Sequence, residues 1–184
     1  MVPRWSAVMG LCAIALAGCA DWSPAPLAAD ANEPYVLDSG DKLRILVFGQ
    51  EALSNFYAVD ASGKITMPLI GAVTARGISA ESLSQAIAVR LRQGYVREPR
   101  VAIEIESYRP FFVLGEIATA GQFAFVPGMT AENAVAIAGG FTPRAYRSQV
   151  ELHRAINGRV MRATVALDYR VRPGDTIVVS ERWF

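Results

Sequence analysis

The chain has 184 residues, 52% of them apolar, with 18 Lys and Arg against 17 Asp and Glu and a formal net charge of +1. That balance leaves no general basic excess to hold a nucleic acid. The length suits one medium domain or two small ones.

The N-terminus has one basic residue, Arg4, then an uncharged run from Trp5 to Leu16, then Leu16-Ala17-Gly18-Cys19, and turns polar at Asp21. A basic start, a short apolar middle and small residues before a cut are the layout of an export signal. The run falls short of the roughly 20 apolar residues that a spanning helix needs. Cysteine directly after the small pair matches a bacterial lipoprotein signal. Residues 1–18 are therefore expected to be a signal peptide, and Cys19 the lipidated first residue of the mature chain; the alternative is an ordinary signal with a chance cysteine. Removing 1–18 takes away Arg4 and Cys12, leaving 17 basic and 17 acidic residues and Cys19 as the sole cysteine. No disulfide is then expected. Residues 19–34, with three prolines and few large apolar side chains, read as a tether.

Folded sequence is expected from Tyr35 onward. Ser39-Gly40-Asp41 is a turn, after which Leu43, Ile45 and Val47 alternate with Lys42, Arg44 and Leu46 as a strand with one apolar face. Asp60-Ala61-Ser62-Gly63 is a turn between strands at 56–59 and 64–67, predicting a hairpin. Pro68 should interrupt pairing and leave 69–73 as a separate or edge segment. Ser79 can cap a helix over 80–93, with Leu83, Ile87 and Leu91 on one face and Gly94 as its stop. Val101, Ile103 and Ile105 then alternate with Ala102, Glu104 and Glu106, the clearest strand in the chain.

The second half begins with three aromatics, Tyr108, Phe111 and Phe112, around Arg109 and Pro110. A strand over 111–114 ends at Gly115, and 121–126 reads as its hairpin partner. Thr130 can cap a helix over 131–138 that Gly139-Gly140 ends. Strands at 149–154 and 159–166 flank Asn157-Gly158, a hairpin signal. Arg172-Pro173-Gly174-Asp175 turns into a last strand at 176–180. Gly174-Asp175 echoes Gly40-Asp41, each opening a strand; the echo reads as two related turns and not as a common ligand site. Strands outnumber helices, so the expected fold class is α+β, as two small domains at 35–107 and 108–184. Charge is uneven: residues 19–139 hold 9 basic and 13 acidic side chains, residues 140–184 hold 8 and 4. The plain reading is solvated surface; the sharper one is head-to-tail attraction between subunits, which high salt would loosen.

Catalytic signatures are poor. His153, the single histidine, sits in a strand without a nucleophile beside it, since Cys19 is assigned to anchoring. Glu104 and Glu106 share a strand's polar face; paired carboxylates could do acid–base work, although solvated strand surface explains them better. No spacing fits a metal site, and the Gly115–Gly121 region lacks the phosphate-cradle spacings; Gly63 is a turn residue. Tyr108, Phe111 and Phe112 could stack on sugars, but packing is the commoner use. No catalytic residue, cofactor or metal is expected.

Tyr35-Val-Leu-Asp-Ser-Gly-Asp-Lys-Leu-Arg-Ile-Leu-Val-Phe48 resembles the opening of the bacterial outer-membrane polysaccharide export family, the Wza-like lipoproteins. Asp60-Ala-Ser-Gly-Lys-Ile-Thr-Met-Pro-Leu-Ile-Gly71 is similar to that family's next motif, as are the helix at 80–93 and Val101-Ala-Ile-Glu-Ile105. Val113-Leu-Gly-Glu-Ile117, Gly121, Thr130 and Ala138-Gly-Gly-Phe-Thr142 resemble the soluble-ligand-binding β-grasp (SLBB) domain that follows it. The resemblance spans about 35–180. It implies a non-enzymatic, lipid-anchored protein on the periplasmic face of the outer membrane. It also implies a homo-oligomeric ring that conducts capsular polysaccharide or exopolysaccharide, working with an inner-membrane copolymerase that often carries a tyrosine kinase. The family's longest members add a second β-grasp module and a membrane-crossing helix after this point. With the chain stopping at Trp183-Phe184, the expectation is a short form whose route a separate outer-membrane β-barrel channel completes. The terminal aromatics would meet the interface or that channel, or simply close the last strand. Ala20 after the lipidated cysteine implies release from the inner membrane, with Asp21 weakening that inference. The competing expectation is a β-grasp module that binds a small soluble ligand or oligosaccharide near 111–121.

Overall fold

The computed structural model describes residues 34–156 and 158–183. The expected signal peptide, the lipidation site Cys19 and nearly all of the tether lie outside them, as do Asn157 of the hairpin turn and Phe184. Among the described residues the fold is α+β, with ten strands and two α-helices arranged around two hydrophobic cores.

The first core is organised by β1 (Lys42–Val47), whose alternate residues Leu43, Ile45 and Val47 are buried. Strict alternation puts every second side chain on one face. β2 (Asn55–Ala58) and β5 (Val101–Ser107) pair antiparallel on its two sides, with Leu43 opposite both Tyr57 and Ile105. β3 (Lys64–Met67) and β4 (Gly71–Thr74) form a separate two-stranded sheet. α1 (Ala80–Arg92) begins at Ser79, whose hydroxyl accepts from the Ser82 amide at 3.2 Å, and buries Leu83, Ile87 and Leu91.

One sequence expectation fails in this region and another holds only in that β4, paired on one side, is an edge strand. The turn at 60–63 forms, with the Asp60 carboxylate accepting from the Lys64 amide at 3.0 Å and the Ser62 hydroxyl at 2.7 Å. The strands it joins do not pair with each other, however: β2 belongs to the β1 sheet and β3 to the β4 sheet. Pro68 likewise does not separate 69–73 from pairing. It falls at the tip of the β3–β4 hairpin, where its missing N–H costs no ladder bond. The Ile70 amide donates to the Pro68 carbonyl at 2.9 Å, Leu69 takes a φ of +69°, and Ile65 faces Val73 across the ladder.

The second core lies under a five-stranded sheet of order β7-β6-β10-β8-β9. The strands are β6 (Phe111–Gly115), β7 (Gly121–Phe123), β8 (Gln149–Ile156), β9 (Arg159–Ala166) and β10 (Thr176–Val179). β10 inserts between β6, to which it is parallel, and β8, to which it is antiparallel. β7 stops at Phe123, before the expected 126, because its partner β6 begins opposite it at Phe111, after Pro110, which has no N–H to pair. α2 (Ala131–Ile137) is capped by a reciprocal Thr130–Asn133 pair, and its small buried residues Ala131 and Ala134 join the core with Val135. Gly139 and Gly140, both at positive φ, follow it, and the Gly140 amide returns to the Val135 carbonyl at 2.9 Å.

Candidate functional site

The two Gly-Asp turns come together at the junction of the two cores. Asp41 and Asp175 are the buried carboxylates among the described residues, at 0% and 1% exposure. Each closes its own turn in the same way. Asp41 accepts from the Asp38 amide at 2.9 Å, and Asp175 from the Arg172 amide at 2.7 Å. Each aspartate's own amide donates back to the carbonyl three residues earlier, at 3.2 and 3.1 Å.

The repetition runs deeper than the Gly-Asp pair. A tyrosine stands six residues before each aspartate, Tyr35 and Tyr169, and a buried apolar residue four before it, Leu37 and Val171. An arginine completes each set. Arg109 reaches Asp41 at 3.4 Å and the Tyr35 hydroxyl at 2.7 Å, with its guanidinium carbon 5.7 Å from the Tyr35 ring centre. Arg154 grips Asp175 with two bonds, 2.9 and 2.7 Å, reaches the Tyr169 hydroxyl at 3.3 Å, and lies 5.6 Å from that ring centre. In both sets an arginine is bonded to the aspartate and to the tyrosine hydroxyl, and in the first the Tyr35 hydroxyl also donates to Asp41 at 2.7 Å. The tyrosine spacing was visible in the sequence. The arginines were not, because they arrive from a different part of the chain.

Arg109 also joins the two turns to each other. Its amide donates to Asp41 at 2.9 Å, while the next residue's carbonyl, that of Pro110, accepts from the Gly174 amide at 3.0 Å. The Phe112 amide donates to the Asp175 carbonyl at 2.9 Å. Gly174 has a φ of +86°, and a Cβ there would sit 2.8 Å from Arg109 Nε. At Gly40 a Cβ would lie 3.4 Å from the Arg109 Cβ. The segment 108–110 is thus wedged between both turns. Tyr108 adds edge contacts to Tyr35 at 5.0 Å and to Phe125 at 5.5 Å, bridging the two halves.

The electrostatics hold these groups fixed. Burial, followed by the bond to Asp41, pushes the Tyr35 phenol well above its usual range. Burial works against the Arg154 charge, but the bond to Asp175, its charge and Tyr169 together outweigh it and the guanidinium is held charged. Among the described residues no buried side-chain nitrogen or oxygen is left without a hydrogen-bond partner, which suits a positioning role for this junction.

The remaining sequence candidates are dispersed. His153 lies on β8 and bonds Glu151 at 2.8 Å. Glu104 faces Arg44 of the neighbouring strand at 3.6 Å, and Glu106 is exposed at the end of β5. Phe111 is buried against Phe123, while Phe112 is partly exposed, so the aromatic trio does not form one platform. Gly63 packs against Arg76, whose Cβ would be 2.6 Å from an added Cβ. Among the described residues no group of three or more His, Cys, Asp or Glu could hold a metal ion. No described helix is long and apolar enough to cross a membrane.

Residues 29–106 match the family model of the polysaccharide biosynthesis/export protein, and residues 110–164 match that of the SLBB domain. The chain is 30% identical over 167 residues to the exopolysaccharide production protein ExoF of Rhizobium meliloti, covering 84% of this chain and 36% of ExoF. It is 25% identical over 167 residues to the polysialic acid transport protein KpsD of Escherichia coli, covering 82% of this chain and 29% of KpsD. The chain thus spans about a third of the length of these relatives. Two family matches in order, the second ending at 164 before the last core strand, place the chain in the polysaccharide export family, as an export domain followed by an SLBB domain.

Proposed function

We propose that this protein is a subunit of a polysaccharide export apparatus, held by lipid on Cys19 at the periplasmic face of the outer membrane. Copies form a ring through which capsular polysaccharide or exopolysaccharide passes. An inner-membrane copolymerase delivers the polysaccharide to it. The protein performs no chemistry on the glycan.

The observation that carries this reading is the ordered pair of domain matches, combined with the interlock at their junction. A ring that guides a polymer needs subunits whose two domains keep a set angle. Arg109 provides that here by bonding one turn with its side chain and amide while its neighbour Pro110 bonds the other. The names of the two relatives, an exopolysaccharide production protein and a polysialic acid transport protein, support the cargo class.

Three measurements test the parts separately. Mass spectrometry of the mature N-terminus should find Cys19 acylated, in the outer-membrane fraction. Mass photometry of the detergent-extracted protein should find a multiple of the subunit mass. Deletion of the gene should remove polysaccharide from the cell surface while its synthesis continues. Normal surface polysaccharide in the deletion strain would overturn the reading. Saturable binding of one small compound, with export intact, would favour a ligand-binding module instead.

A further inference from the structure

The last 45 residues carry eight arginines and no lysine; the chain's lysines are Lys42 and Lys64. Some of these arginines are fully engaged. Arg154 is bound to Asp175 inside the fold, and Arg144 holds Glu181 through two nitrogens, Nε at 2.8 Å. Arg147 and Arg182 are different. Arg147 reaches only the Thr142 carbonyl, at 3.4 Å, and the Arg182 guanidinium makes no hydrogen bond among the described residues. Both line one open depression of about 340 Å³, together with Pro143, Ala145 and Tyr146. Arg144 binds Glu181 and also feels Glu116, which the Thr142 hydroxyl holds at 2.6 Å, so three arginines face two acids and the depression keeps a net positive charge.

The depression has a rigid base. Residues 144–146 run antiparallel to 180–182, with the Tyr146 amide on the Ser180 carbonyl and the Arg182 amide on the Arg144 carbonyl, both at 2.9 Å. Ala145 is buried and bridges to Glu181. The two guanidinium groups and the partly exposed Tyr146 ring are thereby presented from a fixed backbone. Guanidinium is planar and binds carboxylate with two parallel hydrogen bonds, which ammonium does not. An aromatic ring beside it offers an apolar face for the C–H side of a sugar. The volume lies at the low end of ligand sites, about 300–1,000 Å³, and suits a unit or two of a longer polymer.

We infer that this depression binds carboxylate-bearing sugar units of the cargo, with Arg147 and Arg182 holding the carboxylate and Tyr146 the ring. The inference rests on the polysaccharide reading above. Contact is weak by design, because a conduit that bound tightly would stall its cargo.

Saturation-transfer NMR on the full chain in detergent tests this, with tetragalacturonate, maltotetraose and free galacturonate as probes. Tetragalacturonate should bind about tenfold or more tightly than maltotetraose, and weaken as salt is raised. The double variant Arg147→Gln/Arg182→Gln should lose about tenfold in affinity while its thermal unfolding matches the parent. Arg159→Gln, on β9, should bind as the parent does. Equal binding of the neutral tetramer, no binding, or an unaffected double variant would overturn the site. Free galacturonate binding as tightly as the tetramer would assign the depression to a small acid and overturn the cargo claim. The gene deletion separates the two levels: export lost on deletion without binding of tetragalacturonate defeats the site alone, whereas export retained on deletion defeats the function it rests on.

Discussion

Asp175 and Arg154 show what a buried ion pair demands. Their side chains are 2% and 6% exposed, and each satisfies the other. Removing one partner leaves a charge without water or counter-ion, so Asp175→Ala should destabilise the protein by about 3–5 kcal/mol in urea unfolding. The paired change Arg154→Met/Asp175→Leu should recover much of that loss, since no charge is then stranded. Gly174→Ala should cost more than the roughly 1 kcal/mol of conformational strain alone, because the new Cβ meets Arg109. Gly49→Ala, at a φ of +74° with nothing within 4 Å, should show the strain alone. Asp38 supplies a pH test. Burial raises its carboxyl, but the Ser39 amide and Arg76 bonds outweigh this and hold it below its ordinary value. A depressed carboxyl stabilises the fold above about pH 4 and loses that effect as pH falls further. Melting temperatures from pH 7 to 3 should therefore drop more steeply below pH 4 in the parent than in Asp38→Asn. At this scale the Gly-Asp turns were legible, because their chemistry is local. Arg109 and Arg154 were not, since an arginine's partner is set by the fold and its exposed and buried forms look alike in sequence.

Elements divide along the same line. α1 was legible because its buried residues recur every four positions and its cap is adjacent in sequence. Ile87→Ala, at 0% exposure in the first core, should cost about 2–5 kcal/mol, measurable by urea unfolding. The strand at 101–107 was equally plain from its alternation. The pairing of strands was not. Asp60–Gly63 has every local mark of a hairpin turn, and the turn forms, yet the strands on either side join different sheets. Pro68 was misread in part, because the rule against proline in a ladder does not say whether the residue falls within a strand or at a hairpin tip. The parallel pairing of β10 with β6 joins residues more than sixty positions apart, and no short-range pattern encodes it.

The whole molecule joins two cores by a short segment held between two like turns. Tyr35-to-Asp41 and Tyr169-to-Asp175 are the same device used twice, once at the start of each key strand, and Arg109 ties one to the other. The order of the two domains was legible from motifs, while the way they lock was visible only in the fold. The proposed function draws on this scale, since two domains tied together through Arg109 and Pro110 are what a subunit guiding a polymer would use. The most direct test is a pulse-chase of radiolabelled polysaccharide in the deletion strain, separating surface, periplasmic and cytoplasmic fractions. The account predicts that label is made at the parental rate and accumulates inside the envelope, with surface label restored by the intact gene. Label reaching the surface at the parental rate without the protein would contradict it.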